Sequence, residues 1–255
     1  MKVTGSIVTY NSQNDIEKCI SSILKYTQNI DFHLYVSDNA SEDDTVKVIE
    51  EKFPKEKYPR ITLIKNDRNG GFGYGHNKVI AHVRSDYHVC INPDIEFGTD
   101  VLTPLCDYLE QHKNVAMITP KIRNKDGSEQ HLPKKNPRIS YVILSKLPGL
   151  GFYRRRYTRE DEHLDKPTGI DLCTGCFFVA RTDVLKQMKG FASGYFMYFE
   201  DSDLTRRVKT AGYEVIFYPD TWVYHDWHRD NTGSLRGIFR FLKSMCRYFR
   251  IWGFK

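Results

Sequence analysis

Over its first 112 residues the chain alternates short apolar, strand-like runs with amphipathic stretches, and this alternation constrains the fold more than any other feature. Residues 3–10, 32–37, 61–64 and 87–91 read as strands. Residues 15–25 read as a helix with Ile16, Cys19, Ile20, Ile23 and Leu24 on one face, the spacing of a 3.6-residue period. Further helices are predicted over 43–53, with Ser41 or Asp43 at its N-cap, over 75–83 and over 99–112. Strand and helix in strict alternation predict an α/β fold: a mostly parallel sheet flanked by helices.

The rhythm breaks at residue 121. Residues 121–169 are rich in Pro, Gly and basic side chains, as in Lys134-Lys135-Asn136-Pro137-Arg138 and Arg154-Arg155-Arg156, and predict a mobile excursion ordered only over 140–147. Order resumes with 171–179, a helix over 182–188, a second over 200–211, and strands at 214–218 and 221–224.

A composition of 40% hydrophobic and 27% charged residues is that of a globular protein and excludes extended disorder. The formal charge of +6 resides in the tail, because residues 229–255 hold seven Lys/Arg against one Asp and the rest of the chain balances. As a helix over 235–252, Arg236, Arg240, Lys243, Arg247 and Arg250 form one stripe, opposite Leu235, Ile238, Leu242, Met245, Phe249 and Trp252. Such a basic amphipathic helix suits an anionic membrane surface, or packs on the domain with its arginines in water. No apolar run is long enough to span a bilayer and no signal peptide precedes the first strand. The expected location is therefore cytoplasmic, with the inner face of the plasma membrane as the surface the tail could touch. Nucleic acid is not an expected partner, since no binding motif for it is present.

Six cysteines lie mostly in apolar, periodic segments, as reduced core thiols do. Cys173-Thr174-Gly175-Cys176 has redox or zinc spacing, but there is no second such pair and the motif does not open a helix.

Four polar loops follow the first-half strands: Thr9-Tyr10-Asn11, Ser37-Asp38-Asn39-Ala40-Ser41, Asn66 through Gly73, and Asn92-Pro93-Asp94. In a parallel sheet all four emerge at the carboxyl edge, where open α/β sheets bind ligands. Each is also ordinary turn chemistry; together they predict a nucleotide crevice. Asp38 can accept from a base N–H or a ribose hydroxyl, and Asp94 is a hard oxygen ligand for a divalent cation. A second acidic cluster, Phe199-Glu200-Asp201-Ser202-Asp203, opens a helix. There a carboxylate can take a proton from an attacking hydroxyl, while Asp203 suits the helix dipole. The aromatic run 195–199 could wall off and raise a neighbouring carboxyl.

Val8-Thr9-Tyr10-Asn11, Ser37-Asp38-Asn39-Ala40-Ser41, Asn69-Gly70-Gly71-Phe72-Gly73 with Asn77, Asn92-Pro93-Asp94, Thr174-Gly175-Cys176, and Phe199-Glu200-Asp201 through Gly212-Tyr213 resemble, in order and spacing, the motif set of family-2 glycosyltransferases. Within that family the bacterial rhamnosyltransferases are most similar. The resemblance implies a GT-A fold over residues 1–228, with a nucleotide-sugar half (1–120), an acceptor half (121–228) and the basic segment 229–255 appended. It implies inverting transfer of a sugar, with dTDP-rhamnose the favoured donor, to a glycan or lipid-linked glycan in cell-surface polysaccharide synthesis. Thr9, Tyr10, Asn11, Asp38, Asn39, Asn66, Gly71, Phe72, Asn77, Asn92 and Asp94 would bind the nucleotide sugar, and Thr174, Gly175 and Cys176 the acceptor. Asp94 would hold Mg²⁺ or Mn²⁺, Asp201 would be the base, and Glu200 is its alternative. Asn92 departs from the family's Asp-x-Asp, leaving one assured carboxylate; His225 stands where relatives place a further ligand, ahead of His228, with a surface histidine the plain alternative. Other readings are a UDP- or GDP-sugar transferase, a sugar nucleotidyltransferase or oxidoreductase, and an inactive membrane-peripheral protein. Against the nucleotide enzymes, no phosphate loop is present, and Gly71-Phe72-Gly73-Tyr74-Gly75-His76 is not a dinucleotide fingerprint.

Overall fold

The computed structural model describes residues 1–144, 149–226 and 234–254. β1 (Lys2–Thr9) pairs in parallel with β2 (Asp31–Asp38) on one side and β4 (Tyr87–Ile91) on the other, and β2 carries β3 (Ile61–Lys65) on its outer edge. The chain therefore runs outward from β1 and returns to its opposite side, which makes the carboxyl ends of β1 and β4 a switch point of the kind that opens a ligand crevice. α1 (Ile16–Tyr26), α2 (Thr45–Lys52) and α3 (Phe72–Ile80) make the crossovers. Ile16, Cys19, Ile20 and Ile23 of α1 are buried with Val3, Ile7 and Leu34 of the sheet in one core. All five residues of β4 are buried, as expected of a strand covered on both faces. α3 starts at Phe72 rather than Gly75, because Gly71 at φ 92° turns the chain into it.

The second half changes character. α4 (Leu102–Gln111) leads to β6 (Val115–Arg123), and the sheet continues through β8 (Phe177–Arg181), β6, β9 (Glu214–His225) and β5 (Ile95–Phe97), with β7 (Thr168–Gly169) on β9. β4/β8, β6/β8, β5/β9 and β7/β9 are antiparallel, so four of the eight pairings are parallel and the sheet is mixed. The nucleotide-binding part, β3-β2-β1-β4, is parallel as expected, and every antiparallel pairing involves β5, β7 or β8. The two strands expected near 214–224 are one, with an irregularity where Pro120/Lys121 face Tyr218/Trp222. Pro219 has no N–H for a regular ladder at that point.

Residues 121–169 are more built than expected. β6 extends to Arg123, and α5 (Ile139–Leu144) and α6 (Gly151–Thr158) follow; residues 145–147 of the expected ordered piece lie outside the described residues. α7 (Thr182–Gln187) and α8 (Glu200–Thr210) come next. α9 (Leu235–Trp252) opens with the Ser234 hydroxyl accepting from the Gly237 N–H at 3.0 Å. Its apolar residues divide: Met245, Phe249 and Trp252 pack on the domain with Tyr195, Phe199 and Tyr248, whereas Leu235, Ile238 and Leu242 remain exposed. No described helix is long and apolar enough to cross a membrane.

Candidate active site

Thr9 and Asp38 are register partners at the carboxyl ends of β1 and β2. The Asp38 side chain is buried and accepts from the Thr9 hydroxyl at 2.9 Å, the Ser41 N–H at 3.0 Å and the Ser41 hydroxyl at 2.5 Å. A carboxylate offers about four lone-pair directions, so one on Oδ2 is left for a ligand. Asn11, at φ 55°, is held by Ser41 and Glu42, and Tyr10 between Thr9 and Asn11 is exposed. The Asn66 amide donates to Ser37 Oγ at 2.8 Å and Asn39 Oδ1 at 3.0 Å, and the Asn39 amide donates to the Gly71 carbonyl at 3.0 Å. A Cβ on Gly71 would lie 2.0 Å from the Phe196 carbonyl oxygen. This loop therefore admits no side chain. Asn39 is buried framework, and Phe72 stacks edge-on to His76 and Phe191 beneath the loop. Asn77 is occupied elsewhere: its amide donates to the Phe191 carbonyl at 2.7 Å and its oxygen accepts the Phe191 N–H at 2.8 Å. These bonds make Asn77 a tie between α3 and residue 191.

Asp94 follows β4. His225, the last residue of β9, is the register partner of Ile95, and the Asp226 N–H donates to the Asp94 carbonyl at 3.0 Å. This pairing brings His225 Nε2 to 3.4 Å from Asp94 Oδ1, both atoms buried and without a hydrogen-bond partner. The Gln130 amide nitrogen donates to the His225 carbonyl at 2.8 Å and to Asn124 Oδ1 at 2.6 Å, so its oxygen is the acceptor 2.9 Å from His225 Nδ1. In the neutral ring Nδ1 therefore carries the proton and Nε2 presents a lone pair to the carboxylate. Two acceptors facing each other want a cation between them. With Gln130 as outer partner of the imidazole, the donor set fits a divalent ion. Among the described residues no group of three or more His, Cys, Asp or Glu surrounds it. Any further ligands would come from Asn92, solvent or a bound diphosphate. His228 lies outside the described residues.

Thr174-Gly175-Cys176 stands between this pair and the second acidic cluster. The Cys176 carbonyl accepts the Asn92 N–H at 2.8 Å, and the Gly175 N–H donates to Asp201 Oδ2 at 3.1 Å. Asp201 Oδ1 accepts from the Ser202 N–H at 2.6 Å. Glu200 is buried with Oε2 unpartnered; burial first, and the charge of Asp201 second, push its carboxyl up to about 8. A cavity of about 260 Å³ opens in front of Asp201, lined by Lys134, Tyr157, Thr174, Glu200 and Phe241 among others. Tyr198 and Phe199, which lead into the cluster, both sit at positive φ, 72° and 66°. Such strain persists only where packing over-determines it: Phe241 of α9 lies 5.5 Å from both rings, and Tyr248 lies 5.4 Å from Phe199.

Asp203 lies in the first turn of α8, as expected of a dipole-complementing acid, and has a further role. It is buried, accepting from Arg207 at 2.8 Å and from the Trp252 indole at 2.9 Å, and so locks α8 to α9. Cys173 and Cys176 are buried free thiols raised by that burial, Cys176 to about 12, which makes them poor thiolates for redox or zinc. Sequence reading missed Gln130, Lys134, Tyr157 and Phe241. Three of them come from the stretch expected to be mobile, and no short motif marks any of the four.

The sequence and the fold have counterparts in known proteins. Glycosyl transferase family 2 matches residues 6–189. The rhamnosyltransferase WbbL of Escherichia coli is 32% identical over 188 residues, covering 70% of this chain and 69% of that protein. The N-acetylglucosaminyl-diphospho-decaprenol L-rhamnosyltransferase of Mycobacterium tuberculosis is 26% identical over 234 residues, covering 86% and 74%. Among solved structures, the Pyrobaculum calidifontis mannosyltransferase PcManGT in complex with GDP-Man and Mn²⁺ superposes with a TM-score of 0.70 at 17% identity, over 98% of this chain and 64% of that one. GalNAc-T7 with UDP, GalNAc and Mn²⁺ gives 0.74 at 14%, over 99% and 48%. The chain thus spans about two-thirds and about half of those two enzymes, and the likeness is one of fold. With the family match covering most of the chain and the mixed sheet shared with GT-A enzymes, the chain belongs to glycosyl transferase family 2 and is a glycosyltransferase.

Proposed function

We propose that this enzyme transfers a sugar, rhamnose from dTDP-rhamnose before any other, to a hydroxyl of a glycan acceptor in bacterial surface-polysaccharide synthesis, with inversion. The observation that carries the reading is the loop of Thr174, Gly175 and Cys176, which touches Asn92 beside Asp94 through one backbone group and the Asp201 carboxylate through another. A leaving-group pole and a proton-accepting pole then flank one reacting centre. Thr9, Tyr10, Asn11 and Asp38 hold the nucleoside, with Tyr10 free to stack on the base; Asn66 and Gly71 line the nucleotide. Asp94 and His225 would hold Mg²⁺ or Mn²⁺. A divalent ion there neutralises charge on the departing diphosphate. Asp201 takes the proton of the acceptor hydroxyl as its oxygen attacks the anomeric carbon from the face opposite the diphosphate. A single displacement of that kind inverts the centre. The Gly175 N–H keeps the carboxylate aimed, and Lys134 and Tyr157 shape the acceptor side. The similarity to two rhamnosyltransferases supports the donor, and the decaprenol-linked substrate in the name of one of them makes a lipid-linked acceptor the first to try.

Calorimetric binding of dTDP, UDP and GDP with and without Mn²⁺, repeated on Asp94→Ala, tests this. Selective, Mn²⁺-dependent dTDP binding that the variant loses is expected. UDP or GDP preference would overturn the rhamnosyl donor, and no binding by a folded protein would overturn the transferase reading of the crevice.

A further inference from the structure

α9 has three faces, and only one of them is used by the domain. Gly237, Ser244, Tyr248 and Phe249 are buried; the Ser244 hydroxyl donates to the Met197 carbonyl at 2.8 Å. A second face, formed by Leu235, Ile238, Phe239 and Leu242, stands in solvent at 86%, 47%, 68% and 45% exposure, and Cys246 continues it one turn on. Spacings of three and four place these side chains in one ridge about three turns long. The third face is basic. Arg236, Lys243 and Arg250 follow at intervals of seven, about 60–100° round the helix from the centre of the apolar ridge. None of the three makes an ion pair with a described residue, and α9 contains no Asp or Glu. Arg240 and Arg247 are engaged inward, over the rings of Phe196 and Tyr195 at 4.2 and 5.3 Å.

We propose that this outer surface of α9 docks on an anionic phospholipid bilayer, with Leu235, Ile238, Phe239 and Leu242 entering the headgroup boundary and Arg236, Lys243 and Arg250 meeting the lipid phosphates. An apolar ridge bordered by unpaired cations is the complement of such a surface, where apolar burial and attraction to anionic lipid act together. A second copy of the chain is a poor occupant, because it would bring two acid-free basic helices face to face. A cavity of about 410 Å³ between α9 and residues 193–196 opens beside Phe239, with Arg240 and Lys243 on its wall. It has the size and charge to take one lipid headgroup. Since the inner face of the same helix holds the turn before Glu200 and Asp201, a docked α9 brings the acceptor cavity close to the bilayer. The docking surface stands on α9 alone and does not depend on which sugar is moved.

The test is sedimentation of the whole protein with vesicles of phosphatidylcholine alone and of phosphatidylcholine mixed with phosphatidylglycerol, at two salt concentrations. Binding to the anionic vesicles only, weakening with salt, is expected. The triple variant Arg236→Gln, Lys243→Gln, Arg250→Gln should bind about a hundredfold more weakly, and the double variant Leu235→Ser, Phe239→Ser at least about tenfold more weakly. Both should keep the parent's far-UV circular dichroism and cooperative thermal unfolding, which separates lost docking from lost folding whatever nucleotide the crevice takes. Absence of vesicle binding by the parent, or variants that bind as well as the parent, would overturn the proposal. So would a dimer in sedimentation velocity that the Leu235→Ser, Phe239→Ser change dissociates.

Discussion

The backbone N–H of Gly175 donates to Oδ2 of Asp201 across 3.1 Å, which makes a glycine in the loop before β8 the aiming device of the candidate base. A Cβ on Gly175 would stand 3.1 Å from the Phe72 ring and 3.5 Å from the Asp201 Cβ. The contact is tight on both sides, and it ties the position of the carboxylate to the loop that also holds Asn92.

Asp201→Asn keeps the size of the side chain and removes its ability to accept a proton. Loss of a positioned general base costs about 10²- to 10⁴-fold, so kcat should fall by that order while dTDP affinity is unchanged. Gly175→Ala should lower kcat about tenfold through misalignment, again without changing donor affinity. Initial-rate kinetics with calorimetry on the same preparations decide the point; parallel losses in binding would move both residues from the acceptor side to the donor side.

Gln130 touches no expected ligand, yet it sets which nitrogen of His225 faces Asp94. Removal of such an outer partner lowers metal affinity about 10- to 100-fold. Gln130→Leu should therefore weaken Mn²⁺ binding in the presence of dTDP by that factor, and His225→Ala by at least as much. The Mn²⁺-dependent gain in dTDP affinity should shrink in parallel. Unchanged Mn²⁺ affinity in both variants would show that the ion is held without the imidazole.

Asn77 makes a paired hydrogen bond to the Phe191 backbone, 114 residues away. Asn77→Ala should destabilise the fold by about 1–3 kcal/mol, since it leaves a buried N–H and carbonyl without partners, and should leave KM for the donor unchanged. Thermal unfolding and donor kinetics read the two effects separately.

Much of the fold was legible because the first half obeys local rules. Strand ends, crossover helices and the rim of Thr9, Asp38, Asn66 and Asp94 follow from apolar periodicity and from the direction of a parallel sheet. What escaped was long-range. β5 is three residues long and is a strand because β9 lies beside it, and β6 runs through Pro120 into a basic stretch and is held between β8 and β9. Gln130, Lys134 and Tyr157 reach the site through tertiary packing of a segment whose composition signals a loop. Asn77 and Asp203 carried the right residue types for a ligand contact and a helix-dipole acid, but their partners, Phe191 and Trp252, are 114 and 49 residues away. The division of α9 into inner and outer apolar faces also lies beyond periodicity, because a helical wheel shows which residues share a face and not which face the domain covers.

Glu200 links pH to stability. Its carboxyl is raised from 4.5 to about 8 in the folded protein. Between those values the native state holds a proton that the unfolded chain has released, so this group's stabilising contribution is full at the acid end and is lost as pH rises towards 8 and above. The slope is about 1.4 kcal/mol per pH unit at most. Denaturant unfolding of the parent should show falling stability from pH 5 to 8, and Glu200→Gln, which cannot ionise, should flatten that fall. A variant with the parent's slope would place the titration on another group.

Phe241 closes the sequence from packing to chemistry. Its ring lies 5.5 Å from Tyr198 and Phe199, the two residues at positive φ that deliver Glu200 and Asp201 to the cavity. Non-glycine residues in that region cost of order 1 kcal/mol or more each, and aromatic packing from α9 offsets the cost. Phe241→Ala removes part of that packing at a half-buried position, so a stability loss of about 1–2 kcal/mol is expected, below the range for a fully buried ring. At this chain length that is a fall in Tm of about 2–8 °C. If the aromatic cluster holds the strained turn, kcat should drop well below the parent's at temperatures where the variant is fully folded, with KM for the donor unchanged, because the donor rim lies on β1 and β2. A variant that loses Tm and keeps kcat would show that the turn holds its conformation without α9.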